Sequence, residues 1–70
     1  MFFQDIQVGD TIQVHTAWGT GRLVEGIVVG KEKDGKNEQD VVDYQVEGSP
    51  YENWCYFWQI VNLTKKEESK

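Results

Sequence analysis

Apolar and polar positions alternate along most of this chain with a period of two, the spacing at which successive side chains of a strand point to opposite faces. Ile12, Val14 and Thr16 alternate with Gln13 and His15. This predicts a half-buried first strand over residues 11–17, entered through a Val8-Gly9-Asp10 turn. Trp18-Gly19-Thr20-Gly21 breaks the pattern, and a long second strand is expected over residues 22–30. Gly26 inside it marks a bulge or bend of the kind that lets one strand serve both halves of a small barrel, and Gly30 loosens its end.

Residues 31–40 are the most polar stretch, and their Asp34-Gly35 dipeptide predicts a hairpin tip. In the third strand, residues 41–47, Val42, Tyr44 and Val46 share one face while Asp43, Gln45 and Glu47 share the other. Gly48-Ser49-Pro50 turns the chain into a fourth strand, residues 54–58, where Trp54, Tyr56 and Trp58 alternate with Cys55 and Phe57. Both faces of that strand are apolar. One is expected to enter the core, and the other to be covered by Phe2 and Phe3 or left exposed. A short 3₁₀ turn at Gln59-Ile60 and a last strand over residues 61–63 complete a single domain of residues 1–63. Residues 64–70 read as a charged flexible tail. Thr64-Lys65-Lys66-Glu67 has the form of a helix capping box, but no apolar run follows for a helix to bury.

Length changes this picture by limiting the core. A chain of 70 residues forms one domain and buries only about 60% of the surface it exposes when unfolded. The single cysteine excludes a disulfide framework, so the nine aromatic residues must supply much of the burial. Cys55, between Trp54 and Tyr56, reads as a small apolar filler in a reducing compartment. Its rival reading, a reactive thiol, lacks a neighbouring base or cation. Met1-Phe2-Phe3-Gln4-Asp5 has neither the basic start nor the apolar stretch of a signal peptide. The longest aliphatic run, Ile27-Val28-Val29, falls far short of the roughly 20 residues of a membrane helix. A cytoplasmic location with no membrane partner is expected.

Charge narrows the partners. The chain carries −5, and residues 1–63 hold four basic against ten acidic residues, a net −6. Nucleic-acid binding draws much of its affinity from Lys and Arg on phosphates, so this balance makes nucleic acid an unfavoured ligand and a basic protein surface a favoured one.

Candidate chemistry is sparse. Zinc needs several ligands at characteristic spacings, and the only His and the only Cys, His15 and Cys55, stand forty residues apart. Asp34, Glu38 and Asp40 miss the calcium-loop pattern because Lys36 occupies a ligand position. Gly26–Glu32 lacks the length and the Ser or Thr of a phosphate loop, and the glycines of segment 18–22 have no following helix to hold an anion. His15 has no evident nucleophile to serve. No catalytic residue, metal or cofactor is expected, and the chain reads as a non-enzyme.

The order of a Val-Gly-Asp turn, an alternating strand, a Gly-Ile-Val-Val strand, a polar loop, a Val-x-Tyr-x-Val strand and a terminal Trp-x-Ile-x-x-Leu resembles a five-stranded, all-β SH3-like barrel over residues 7–63. Bacterial Tudor-like and KOW-like barrels, and small phage or prophage proteins of that shape, are the nearest in pattern. The resemblance implies that ligands meet the loops after the first and third strands, here segments 18–22 and 51–54. Trp18, Arg22, Tyr51, Glu52 and Trp54 are then the binding candidates, with the aromatics forming a shelf or partial cage for a proline-rich segment or a cation. The competing reading places Trp54, Tyr56 and Trp58 simply in the core, and for Trp58 it is the favoured one.

Together these features predict a small acidic protein-interaction module, or an accessory or regulatory polypeptide, that binds a basic or peptide partner through Asp34, Glu38, Asp40, Asp43 and the loop aromatics. Three alternatives stand beside it. One is a Tudor-like or KOW-like nucleic-acid binder using Arg22, Lys31, Lys33 and Lys36. Another is an inhibitor of phage origin that imitates the charge of nucleic acid. The last is a homo-oligomer built through the fourth strand and Met1-Phe2-Phe3.

Overall fold

From a 3₁₀ turn at Phe3–Asp5 the chain passes through Ile6 and the Val8-Gly9 turn, where Gly9 takes a φ of 101°. Five strands follow: β1 (Thr11–His15), β2 (Leu23–Lys36), β3 (Gln39–Gln45), β4 (Glu52–Tyr56) and β5 (Ile60–Thr64). A second 3₁₀ turn, Phe57–Gln59, separates the last two. The structure is a computed structural model and describes residues 2–16 and 21–66. Every pairing is antiparallel, and the strands form one all-β sheet in the order β4-β3-β2-β1-β5. Strands β4 and β5 are its two edges and do not pair with each other, so the sheet is open rather than closed into a barrel.

Strand β2 joins the two halves of the sheet. Its residues from Leu23 to Ile27 pair with β1, and those from Ile27 to Lys36 pair with β3. It therefore runs six residues past its expected end at Gly30, because Asp34-Gly35 is not the hairpin tip. The register steps from Glu32↔Val41 to Lys36↔Gln39, which leaves residues 33–35 opposite Asp40 alone. Asp34 adopts a φ of 55° to make this bulge, and its N–H donates to Asp40 Oδ1 at 3.1 Å. A Cβ on Gly35 would stand 3.2 Å from Val41 Cβ and 3.0 Å from Glu32 Cβ, so glycine lets the bulge close without displacing either neighbour. The tip itself is Asn37-Glu38, with φ of 50° and 60°. Two positive φ values define the turn whose twist matches the flanking strands.

A second register step, from Val28↔Tyr44 to Gly30↔Asp43, makes Val29 the extra residue of the other β2 bulge. The bulge expected at Gly26 is therefore three residues further on. Gly26 stays in register opposite Ile12.

The core packs one face of the sheet: Ile6, Ile12, Val14, Val28, Val42, Tyr44, Cys55 and Ile60 are buried together. Phe3 closes one side, its ring edge-on to Phe57 with centroids 6.0 Å apart. Phe2 is exposed. Cys55 has the filler position expected for it. Burial, with the Asp43 charge adding to it, pushes its thiol up to about 12. We expect no reaction of the native protein with a thiol-specific disulfide reagent at pH 8, and one equivalent of reaction in denaturant. Native labelling at the denatured rate would show that the thiol is not enclosed.

At the other side of the sheet Asp10, 1% exposed, ties the entry of β1 to the exit of β5. Its carboxylate accepts the Gln7 N–H at 2.8 Å, the Lys66 N–H at 2.9 Å and Lys65 Nζ at 2.7 Å. Lys65 Nζ also donates to the Asp5 carbonyl. Strand β5 thus runs past the expected boundary at Leu63, and the first two lysines of the expected tail are held against the domain. No helix among the described residues is long and apolar enough to cross a membrane.

Candidate functional site

Strand alternation sends Val42 and Cys55 into the core and turns Val41, Asp43, Trp54 and Tyr56 to the opposite face of the sheet. Val41 and Tyr56 are nevertheless buried, at 1% and 2% exposure, because they form a small second apolar cluster on that face. The cover is aromatic. Tyr56 lies between two indoles, edge-on to Trp54 at 5.2 Å and stacked on Trp58 at 5.7 Å with the planes 15° apart. Trp54 and Trp58 keep 44% and 51% of their surface exposed.

Trp58 is therefore not in the core, as the fourth-strand periodicity led us to expect. The strand ends at Tyr56, and the 3₁₀ turn of Phe57–Gln59 re-aims the next three side chains. Phe57 packs against the core and Gln59 is buried, its Oε1 accepting the Tyr56 N–H at 2.8 Å and its Nε2 donating to the His15 carbonyl at 3.0 Å. Trp58 is left outside, where its Nε1–H donates to Gln39 Oε1 at 2.6 Å. Nor do Phe2 and Phe3 cover this face, since Phe3 belongs to the core side.

The β2–β3 hairpin frames the shelf. Asn37 Nδ2 donates to the Tyr56 hydroxyl at 2.6 Å, and Lys36 Nζ sits over the Trp54 ring, 4.9 Å from its centroid. Between the hairpin and Trp58 lies an open cleft of about 290 Å³, lined by Lys33, Asp34, Glu38, Asp40, Phe57 and Trp58. That volume is at the small end of ligand pockets and suits one or two side chains rather than a cofactor. Asp43 completes the acidic margin as the cross-strand partner of Trp54. The four carboxylates singled out from the sequence thus border the aromatic shelf: three in the cleft beside Trp58, the fourth beside Trp54.

The loop candidates are placed differently. Trp18 lies outside the described residues. Arg22 is exposed at the base of the connection from β1 to β2, where its carbonyl accepts the Thr16 N–H and Oγ1–H, both at 3.0 Å. Tyr51 is 74% exposed beside the Gly48-Ser49-Pro50 turn, at the end of the sheet opposite the hairpin. Glu52 begins β4 and shares the face of Trp54. Of the five, Glu52 and Trp54 join the shelf described here. Sequence reasoning gave Lys36 only to the nucleic-acid alternative and Tyr56 and Trp58 only to the core, and it did not single out Asn37 or Gln39. The spacing of Trp54, Tyr56 and Trp58 carried the signal for the ladder.

A larger, shallow groove of about 510 Å³ lies between β2 and the turn after β3, with Ile27, Val29 and Val46 in it and Glu25 and Glu47 on its rim. It offers no aromatic face and no ring-bound cation, so the smaller cleft beside Trp58 is the better candidate. Among the described residues, no three His, Cys, Asp or Glu side chains are grouped to hold a metal ion. Comparison with family models, curated proteins and solved structures finds no match to this chain.

Proposed function

We propose that this chain is a non-enzymatic protein-interaction module of the SH3-like type, and that its acid-bordered aromatic shelf captures a basic segment of a partner protein. The fold reading draws support from the long β2 that serves both halves of the sheet and from the 3₁₀ turn before β5. The observation that carries the functional reading is the placement of two half-exposed indoles, Trp54 and Trp58, next to Asp34, Glu38, Asp40 and Asp43. Aromatic faces attract cations, and each such contact at an exposed site contributes about 0.5–1 kcal/mol. Carboxylates around the rings add attraction for Lys and Arg and repel acidic partners. Trp is also a residue type on which interface energy concentrates.

A nucleic-acid ligand is the competing occupant, since Lys33 and Lys36 stand at the same shelf. The four carboxylates outnumber them there. Arg22 lies at the far end of β2, and Lys31 is turned toward Phe3, its Nζ 4.9 Å from the ring centroid and donating to the Phe3 carbonyl at 3.3 Å.

The test is fluorescence anisotropy of a labelled octapeptide alternating Arg and Pro, with an alternating Glu and Pro peptide and a single-stranded oligonucleotide as comparisons. We expect the Arg peptide alone to bind, and Trp54→Ala or Trp58→Ala to weaken it roughly tenfold or more. Equal binding of the Glu peptide, indifference to both substitutions, or tighter binding of the oligonucleotide would overturn the reading.

A further inference from the structure

The cation on Trp54 in the free protein is its own. Lys36 is the last residue of β2, fixed at its Cα by pairing with Gln39 and followed at once by the Asn37-Glu38 turn. Its side chain is exposed, and its ammonium lies over the Trp54 ring. The two carboxylates on the same face as Trp54, Asp43 and Glu52, make that ring an attractive place for a positive charge. Lys36 nonetheless forms no ion pair among the described residues, where Lys65–Asp10 is the pairing seen. The contact is thus ring to ammonium, with water reaching the rest of the group.

We propose that Lys36 is an internal stand-in for the partner's cation, occupying the Trp54 face until a ligand displaces it, and that the site therefore favours an arginine side chain. This rests on the reading of the shelf given above. An ammonium on a flexible four-carbon stem is strongly hydrated and easily released. A guanidinium is planar, more weakly hydrated and stacks flat on an indole, so it gains more from the ring than the lysine loses. Competition from Lys36 lowers the apparent affinity of any cationic ligand by the fraction of time the face is occupied. A single exposed contact of this kind corresponds to about a two- to fivefold factor.

Removing Lys36 also makes the domain more acidic, so the experiment needs a charge-matched control. Lys36→Gln and Lys33→Gln change the net charge equally and lie in the same hairpin, yet Lys33 is not over the ring. With the labelled Arg-Pro octapeptide at fixed salt, Lys36→Gln is expected to bind about two- to fivefold tighter than Lys33→Gln. Lys36→Arg, which puts a better stacking cation on the ring, is expected to bind more weakly than wild type. The peptide with Lys in place of Arg should bind wild type more weakly than the Arg peptide. Equal affinity of the two Gln variants, or equal affinity of the Arg and Lys peptides for wild type, would overturn the stand-in and leave the shelf reading in place. Loss of Arg-peptide binding by wild type and variants alike would remove the shelf reading and this inference with it.

Discussion

Asp10→Ala is expected to destabilise the domain by about 3 kcal/mol, seen as a fall of the denaturant midpoint without a change in its slope. The substitution removes an acceptor that takes three hydrogen bonds, from Gln7, Lys65 and Lys66. Bonds to a charged group are each stronger than neutral ones, and two of these donors are backbone N–H groups that lose their partner. A domain of this size has roughly 4–10 kcal/mol of stability in all, at about 0.05–0.15 kcal/mol per residue. The variant should therefore lose roughly a third to three quarters of its stability. Asp10→Asn, which keeps the shape and one acceptor oxygen, should lose less. A midpoint unchanged by the alanine would mean that the clasp between the β1 entry and the β5 exit contributes nothing net.

The same carboxylate has a defined pH signature. Burial by itself would raise its pKa, but the Lys65 side-chain bond, the Lys66 and Gln7 N–H bonds and the Lys65 charge together outweigh burial and hold it below the usual carboxylate range. A group whose folded value lies below its unfolded value stabilises the fold when ionised. Its contribution is complete above the unfolded value of about 3.9 and is lost as the pH falls through the lower folded value. Wild type should lose this part of its stability only at strongly acidic pH, whereas the midpoint of Asp10→Ala should lack that component of the acid dependence.

Gly26→Val is expected to cost about 3 kcal/mol, and Gly26→Ala somewhat less. A Cβ at this position would lie 2.6 Å from Cδ2 of Tyr44 and 3.0 Å from the Gln45 carbonyl oxygen. Tyr44 is itself in the core at 4% exposure, so its ring has little room to withdraw. The clash therefore moves the β2–β3 seam, on which the hairpin beyond it depends. The discriminating measurement is the unfolding midpoint of Gly26→Ala with and without Tyr44→Leu. If the ring is the obstacle, the two substitutions couple, and the pair costs less than the sum of the singles. Strict additivity would place the cost elsewhere in the backbone.

The alternation of Ile12, Val14, Val42 and Tyr44 determined by itself that these residues line a sheet core, because a strand has only two faces and a small domain can bury only one of them efficiently. Cys55 was legible as an apolar filler from the behaviour of a lone cysteine rather than from alternation, since both faces of its strand are apolar, and the excess of carboxylates in residues 1–63 was legible by counting. The glycine signals marked where the backbone must do something unusual. What each one does depended on neighbours far along the chain: Gly35 lets a bulge close over Val41, and Gly26 makes room for Tyr44.

Only the tertiary structure decided which aromatics face water and what surrounds them. The two-residue period puts Trp58 on the core side only if β4 continues through it, and the chain has already left β4 for a 3₁₀ turn at Phe57. Lys36 over Trp54, Asn37 on the Tyr56 hydroxyl and Gln39 on Trp58 join residues 18 or 19 positions apart. Those meetings are set by the register of β2 on β3 and of β3 on β4. The register in turn depends on bulges at Val29 and at residues 33–35, which leave no periodic trace in the sequence. Local alternation says which face a side chain takes, and only the register says whom it meets there.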